Sequence, residues 1–111
     1  MGDMREFRVM IHKGIDENGI PLGKVCGIEF VSFLIDMDSM PRPEESFKDI
    51  VRKFYKGKTF SWSKAISEIP DEYFMNAGFT KLTRQNVVDL ENVPRIQLRL
   101  YESVEEDKDE V

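Results

Sequence analysis

The spacing of apolar residues changes period along the chain, and that change limits the folds open to it. In REFRVMIHK, Phe7, Val9 and Ile11 alternate with Arg8, Met10 and His12. In IQLRLYE, Ile96, Leu98 and Leu100 alternate with Gln97, Arg99 and Tyr101. A repeat of two belongs to a strand with one buried face. Between these segments, SFKDIVRKFYKG carries Phe47, Ile50, Val51, Phe54 and Tyr55 at i, i+3, i+4, i+7 and i+8. That is the stripe of an amphipathic helix. Strands at both ends with helix between them predict an α+β domain.

The remaining segments fill in the order. GIDENGIPLG offers Asn-Gly and Pro, the chemistry of a turn, so the first strand and KVCGIEFVSFLIDM are expected to form a hairpin. The second strand is apolar at both parities, with Ile28, Phe30 and Leu34 on one and Val31, Phe33 and Ile35 on the other. That pattern predicts a central strand covered on each face, with Cys26 inside it as a small buried hydrophobe. For the first helix, Ser46 with Asp49 resembles a capping box, and Pro43 followed by two glutamates marks an earlier start. Gly57 is placed to end it in the left-handed conformation. SWSKAISEI spaces Trp62, Ala65, Ile66 and Ile69 as a second short helix, with Ser61 as its cap. Pro70 stops it and opens PDEYFMNA, where Asp71 and Glu72 suit a helix N-terminus and Gly78 closes the turn.

Residues 79–90 fit neither period well, since Val87, Val88 and Leu90 serve a strand or a short helix equally. Pro94 can open the last strand without breaking a ladder. The expected order is β-β-α-α-(α)-(β)-β: a three- to four-stranded, mainly antiparallel sheet packed against a central helical hairpin.

The chain's 111 residues suit one domain. Residues 1–102 form the expected compact unit, because 41% hydrophobic residues, eight of them Phe, can build a core. Residues 103–111 have almost nothing to bury and are expected to be an acidic, mobile tail. The net charge of −5 conceals a segregation. From Glu102 to Val111 six acids face Lys108, so the other residues sum to zero. Within them, Arg42 to Lys64 holds seven bases against three acids.

A single cysteine excludes an intrachain disulfide and a thiolate zinc cluster, and suits a reducing compartment. MGDMREFRV contains no apolar leader, and Glu6 stands where a myristoylation signal needs Ser or Thr. The longest apolar stretch, VCGIEFVSFLIDM, is too short and too polar to span a bilayer. A cytoplasmic protein without membrane attachment is expected.

One stretch invites a functional reading. RKFYKGKTFSWSK interleaves five bases with four aromatics, as single-stranded nucleic-acid grooves do. On the helical wheel, however, Phe54 and Trp62 fall on apolar stripes and point inward. Only Tyr55 and Phe60 are left as candidate exposed aromatics. Lys48, Arg52, Lys53, Lys56, Lys58 and Lys64 form the candidate binding surface. Cations in a last helical turn complement the macrodipole without any ligand, so a solvated basic face is the simplest account. A protein partner or the chain's own acidic tail comes next, and nucleic-acid phosphate after that.

FLIDMDSM places Asp36 and Asp38 at the end of a hydrophobic strand. It resembles the nucleophile loop of haloacid-dehalogenase-type phosphatases and the metal-binding Asp-x-Asp of glycosyltransferases. The resemblance covers about eight residues and implies a divalent cation held by both carboxylates. No later Gly-Asp with an acidic cluster completes a phosphatase site, and Pro41 stands where a calcium loop needs Gly. Asp, Ser and Pro after a strand are turn chemistry. His12, the only histidine, has no Ser or Cys near it in sequence and suggests no triad. The seven glycines sit singly, without a phosphate-cradling motif. Expected, then, is a small non-enzymatic interaction protein, a regulator, adaptor or inhibitor, with no cofactor or metal. Weak single-stranded nucleic-acid binding through residues 48–64 is the alternative, and metal-dependent chemistry at Asp36 and Asp38 the third reading.

Overall fold

In the computed structural model, which describes residues 2–83 and 92–102, seven elements follow one another. They are β1 (Met4–Lys13), β2 (Gly27–Asp36), α1 (Pro43–Tyr55), α2 (Trp62–Glu68), α3 (Asp71–Asn76), β3 (Thr80–Lys81) and β4 (Arg95–Glu102). The strands form one sheet in the order β3-β2-β1-β4. The α+β class and the order of elements are those expected from the periodicities. The tail residues 103–111, and Val87, Val88 and Leu90 of the undecided segment, lie outside the described residues.

β1 and β2 pair antiparallel over their whole lengths, from Met4 opposite Asp36 to Lys13 opposite Gly27. Their connection is longer than a tight turn. Within it the Asp16 carboxylate accepts from the amides of Asn18 and Ile20, both at 2.9 Å, and Gly19 turns the chain at a φ of 83°. β4 returns beside β1 in parallel, with Glu6 opposite Arg95. Two of the three pairings are antiparallel, as expected, and the parallel third makes the sheet mixed. β3 adds two residues against Phe33 and Leu34 on the far side of β2.

The helices cover one face of this sheet. Phe7, Val9 and Ile11 from β1 meet Phe33 and Ile35 from β2, Phe47 and Val51 from α1, Ala65 and Ile69 near α2, and Phe74 from α3. Phe79, from the segment of undecided period, is fully buried among them, 5.5 Å from the Phe7 ring and 5.4 Å from Phe33. Fully burying side chains of this size contributes about 1.5–3 kcal/mol each.

Helix boundaries follow local chemistry. α1 takes the earlier of its two starts: Pro43 is in the first turn with Glu44 and Glu45, and the Ser46–Asp49 box is not used as a cap. It ends on Lys56 at a φ of 53°, whose amide donates to the Arg52 carbonyl at 2.9 Å, and Gly57 follows at 83°. Two successive left-handed residues therefore close the helix. α2 is capped by the Ser61 hydroxyl, which accepts from the Lys64 amide at 3.2 Å. α3 starts after Pro70 with Asp71 and Glu72 in its first turn.

Two expectations about β2 are corrected. It is covered on one face only: Val31, Phe33 and Ile35 are buried, whereas Ile28 is 54% and Phe30 60% exposed. The reason is that the three described helices lie on the other side. Cys26 is exposed and precedes the strand, so it is not a buried strand residue.

Candidate functional site

The six basic residues singled out by sequence lie along α1, its left-handed end and the start of α2. Arg52, Lys53, Lys56, Lys58 and Lys64 are exposed, and Lys48 is half-buried. Residues three and four apart share one side of a helix, so Lys48, Arg52 and Lys56 form a row with Lys53 beside it. Lys64 has a carboxylate near it, Glu68 at 3.8 Å on the next turn. The other five make no ion pair within 4.0 Å among the described residues. A row of cations not closed into ion pairs attracts anions at short range, with a reach of about 8 Å at physiological salt.

The aromatics beside them pack on one another. Tyr73 meets Phe54 edge to face at 5.2 Å, and Phe54 meets Tyr55 at 5.1 Å. Tyr55 stacks on Phe60 at 4.9 Å and 9°, and Phe60 meets Trp62 edge to face at 4.9 Å. Trp62 reaches the core through Phe47 at 6.3 Å. Phe54 and Trp62 are half-buried against the core. Tyr55 and Phe60, expected to be exposed, are half-buried as well. Each gives a ring face to the other, which removes that face from any visiting base. The Tyr55 hydroxyl donates to Glu68 at 2.6 Å. Burial, that hydrogen bond and the charge of Glu68 push its pKa up to about 12.

The sheet face opposite the helices holds a second polar arrangement that sequence reasoning missed. The Glu6 carboxylate is only 2% exposed. It accepts from Arg95 Nε at 3.0 Å, Ser32 Oγ at 2.9 Å and Arg8 Nη2 at 3.3 Å. Burial alone raises its pKa, but the hydrogen bonds from Arg95 and Ser32 and the charges of Arg95 and Arg8 outweigh that and hold it below its ordinary value. This cluster ties β1 to β2 and β4. Farther along, Arg8 lies 5.1 Å over the Phe30 ring, and His12 stacks on Tyr101 at 4.8 Å. Arg99 Nη1 is 3.4 Å from His12 Nε2.

Glu102 was also missed as a structural group. Its two carboxylate oxygens accept from the amides of Trp62 at 2.8 Å and Ser63 at 3.1 Å, joining the end of β4 to the start of α2. Its partners lie 40 and 39 positions away, so no local signal marks it.

The Asp36 carboxylate is engaged by the turn that follows it. Asp36 Oδ1 accepts from the Asp38 amide at 3.0 Å and Oδ2 from Ser39 Oγ at 3.3 Å, so its carboxylate is folded onto its own turn. Among the described residues, no group of three or more His, Cys, Asp or Glu is placed to hold a metal ion. No described helix is long and apolar enough to cross a membrane. No family model matches the chain, and no curated protein or solved structure matches it significantly.

Proposed function

We propose that this chain is a non-enzymatic interaction protein, a regulator, adaptor or inhibitor. It engages a protein partner with an acidic surface through Lys48, Arg52, Lys53, Lys56 and Lys58. The observation that carries this reading is the row of cations that closes no ion pair within 4.0 Å among the described residues, in a chain with more acids than bases. Acids are abundant, yet they pair with Arg5, Arg8, Lys13, Lys81 and Arg95 elsewhere. Electrostatic complementarity of this type speeds encounter and selects partners more than it deepens affinity. The packing of Tyr55 on Phe60 favours a protein over single-stranded nucleic acid, because stacking platforms need open rings. An intracellular, cytoplasmic setting fits the single reduced cysteine.

The test is affinity purification from the native cell with the wild-type chain and the Arg52→Glu/Lys53→Glu variant, with and without nuclease. A protein captured by wild type, kept after nuclease and lost with the variant supports the proposal. Loss on nuclease treatment moves the assignment to nucleic acid, and capture indifferent to charge reversal refutes this surface.

A further inference from the structure

β4 is an edge strand of eight residues whose outer side pairs with nothing among the described residues. The phase of its ladder shows what that side presents. The Glu6 amide donates to the Pro94 carbonyl and the Gly14 amide to the Glu102 carbonyl, both at 2.9 Å, so even-numbered residues of β4 bond inward to β1. The amides and carbonyls of Arg95, Gln97, Arg99 and Tyr101 therefore point outward.

Natural edges of this length are guarded by lysine, proline, a bulge or a covering segment. Here Pro94 precedes the strand, the ladder to β1 runs unbroken from Arg95 to Glu102, and no lysine lies within it. Its two arginines are turned back onto their own sheet, Arg95 to Glu6 and Arg99 to Gln97 at 3.2 Å. On the helix face, Ile96 and Leu98 are left half-buried at the rim of the core.

We propose that a second copy of this chain pairs with β4 in antiparallel fashion across a two-fold axis at Leu98, joining the two sheets. This register sets Leu98 opposite its own equivalent, Ile96 opposite Leu100, Arg95 opposite Tyr101 and Gln97 opposite Arg99. The apolar stripe meets itself, and no arginine faces another. Sliding by two residues either way sets Arg95 against Arg99 or Arg99 against Arg99, which like-charge repulsion disfavours. Outward-facing Arg95, Gln97, Arg99 and Tyr101 then form hydrogen-bonded pairs, with about eight backbone bonds between the copies. The contact is isologous and closes on itself, so it gives a dimer and not a fibre.

Sedimentation equilibrium on the full chain tests this. Wild type should show twice the chain mass at about 100 μM, within reach of a micromolar dissociation constant. Gln97→Pro removes an outward amide that β1 does not use, and Gln97→Arg creates the Arg–Arg opposition; each should weaken the dimer tenfold or more. Far-UV circular dichroism checks that both variants fold, and should Gln97→Pro not fold, Gln97→Arg carries the comparison. Adding Arg99→Glu to Gln97→Arg should restore the dimer. The proposal is overturned by a monomeric wild type, including one that takes up an extended peptide instead. It is overturned equally by a dimer indifferent to both single variants, or by a double variant that stays monomeric.

Discussion

Replacing Glu6 with glutamine removes one negative charge from the least exposed ionic group described in the fold and keeps its shape. In the native protein that carboxylate accepts from Arg95, Ser32 and Arg8 at 3.0, 2.9 and 3.3 Å. Hydrogen bonds to charged groups contribute about 1.5–3 kcal/mol each before desolvation is counted. Removing one partner of a fully buried pair costs about 3–5 kcal/mol. Here the side chains of Arg95 and Arg8 are 43% and 26% exposed, so both can regain water when the charge goes. The amide oxygen of glutamine also keeps one acceptor. The expected loss is therefore about 1–2 kcal/mol, roughly 4–10 °C in melting temperature for a domain near 100 residues.

The pH dependence gives this prediction its sign. The folded pKa of Glu6 is depressed below 4.5, so the unfolded chain binds the proton more readily. The charge's contribution is complete above the ordinary carboxylate range and is lost as the pH falls through the folded value. Urea unfolding of wild type and Glu6→Gln at neutral pH, and then in steps below pH 5, should show two curves converging as acid is added. Equal stability at neutral pH would refute the account of the cluster. A gap that stays constant into acid would show that shape, not charge, is at work.

Lys56→Gly should relieve a non-glycine residue held at a φ of 53°, raising stability by about 1 kcal/mol in thermal melts. The same change removes a cation from the proposed surface, so partner affinity should fall while the melting temperature rises. Ending the chain after Glu102 should leave the midpoint unchanged. Ending it after Tyr101 removes the carboxylate on the α2 amides together with the carbonyl that accepts from the Gly14 amide, and should cost about 1–2 kcal/mol, read from the same melts.

Much of the fold was legible because its strongest signals are local. The repeats in β1, α1, α2 and β4 place Phe7, Phe47, Ala65 and Leu100 inside, and each of them is buried. The order of elements followed from the turn residues between them. What sequence missed depends on partners far along the chain. Glu6 meets an arginine 89 positions away, and Glu102 meets amides about 40 away, so neither looks unusual beside its neighbours. The parallel pairing of β4 was illegible for the same reason, since alternation fixes which side chains share a face but not which way a neighbouring strand runs. At the candidate basic surface, the identity and exposure of most cations could be read from the wheel. The half-burial of Tyr55 and Phe60 could not, because it comes from their packing on each other.

The misreading of β2 shows how the layer count governs everything else. Its two apolar parities called for cover on both faces, but the described helices are one of thirteen residues and two short ones of seven and six. Of their buried residues, Phe47, Val51, Ala65 and Phe74 pack into the single cluster with Phe7 and Phe33. Among the described residues, the opposite face satisfies its side chains within the sheet. It does so by burying Glu6 between Arg95, Ser32 and Arg8, laying Arg8 on Phe30 and stacking His12 on Tyr101. Those contacts draw on side chains from both neighbours of β1, which binds β4 firmly even though no described residue pairs with its outer edge. A strand fixed on one side and open on the other is already ordered, so a second strand added there gains hydrogen bonds with little further loss of freedom.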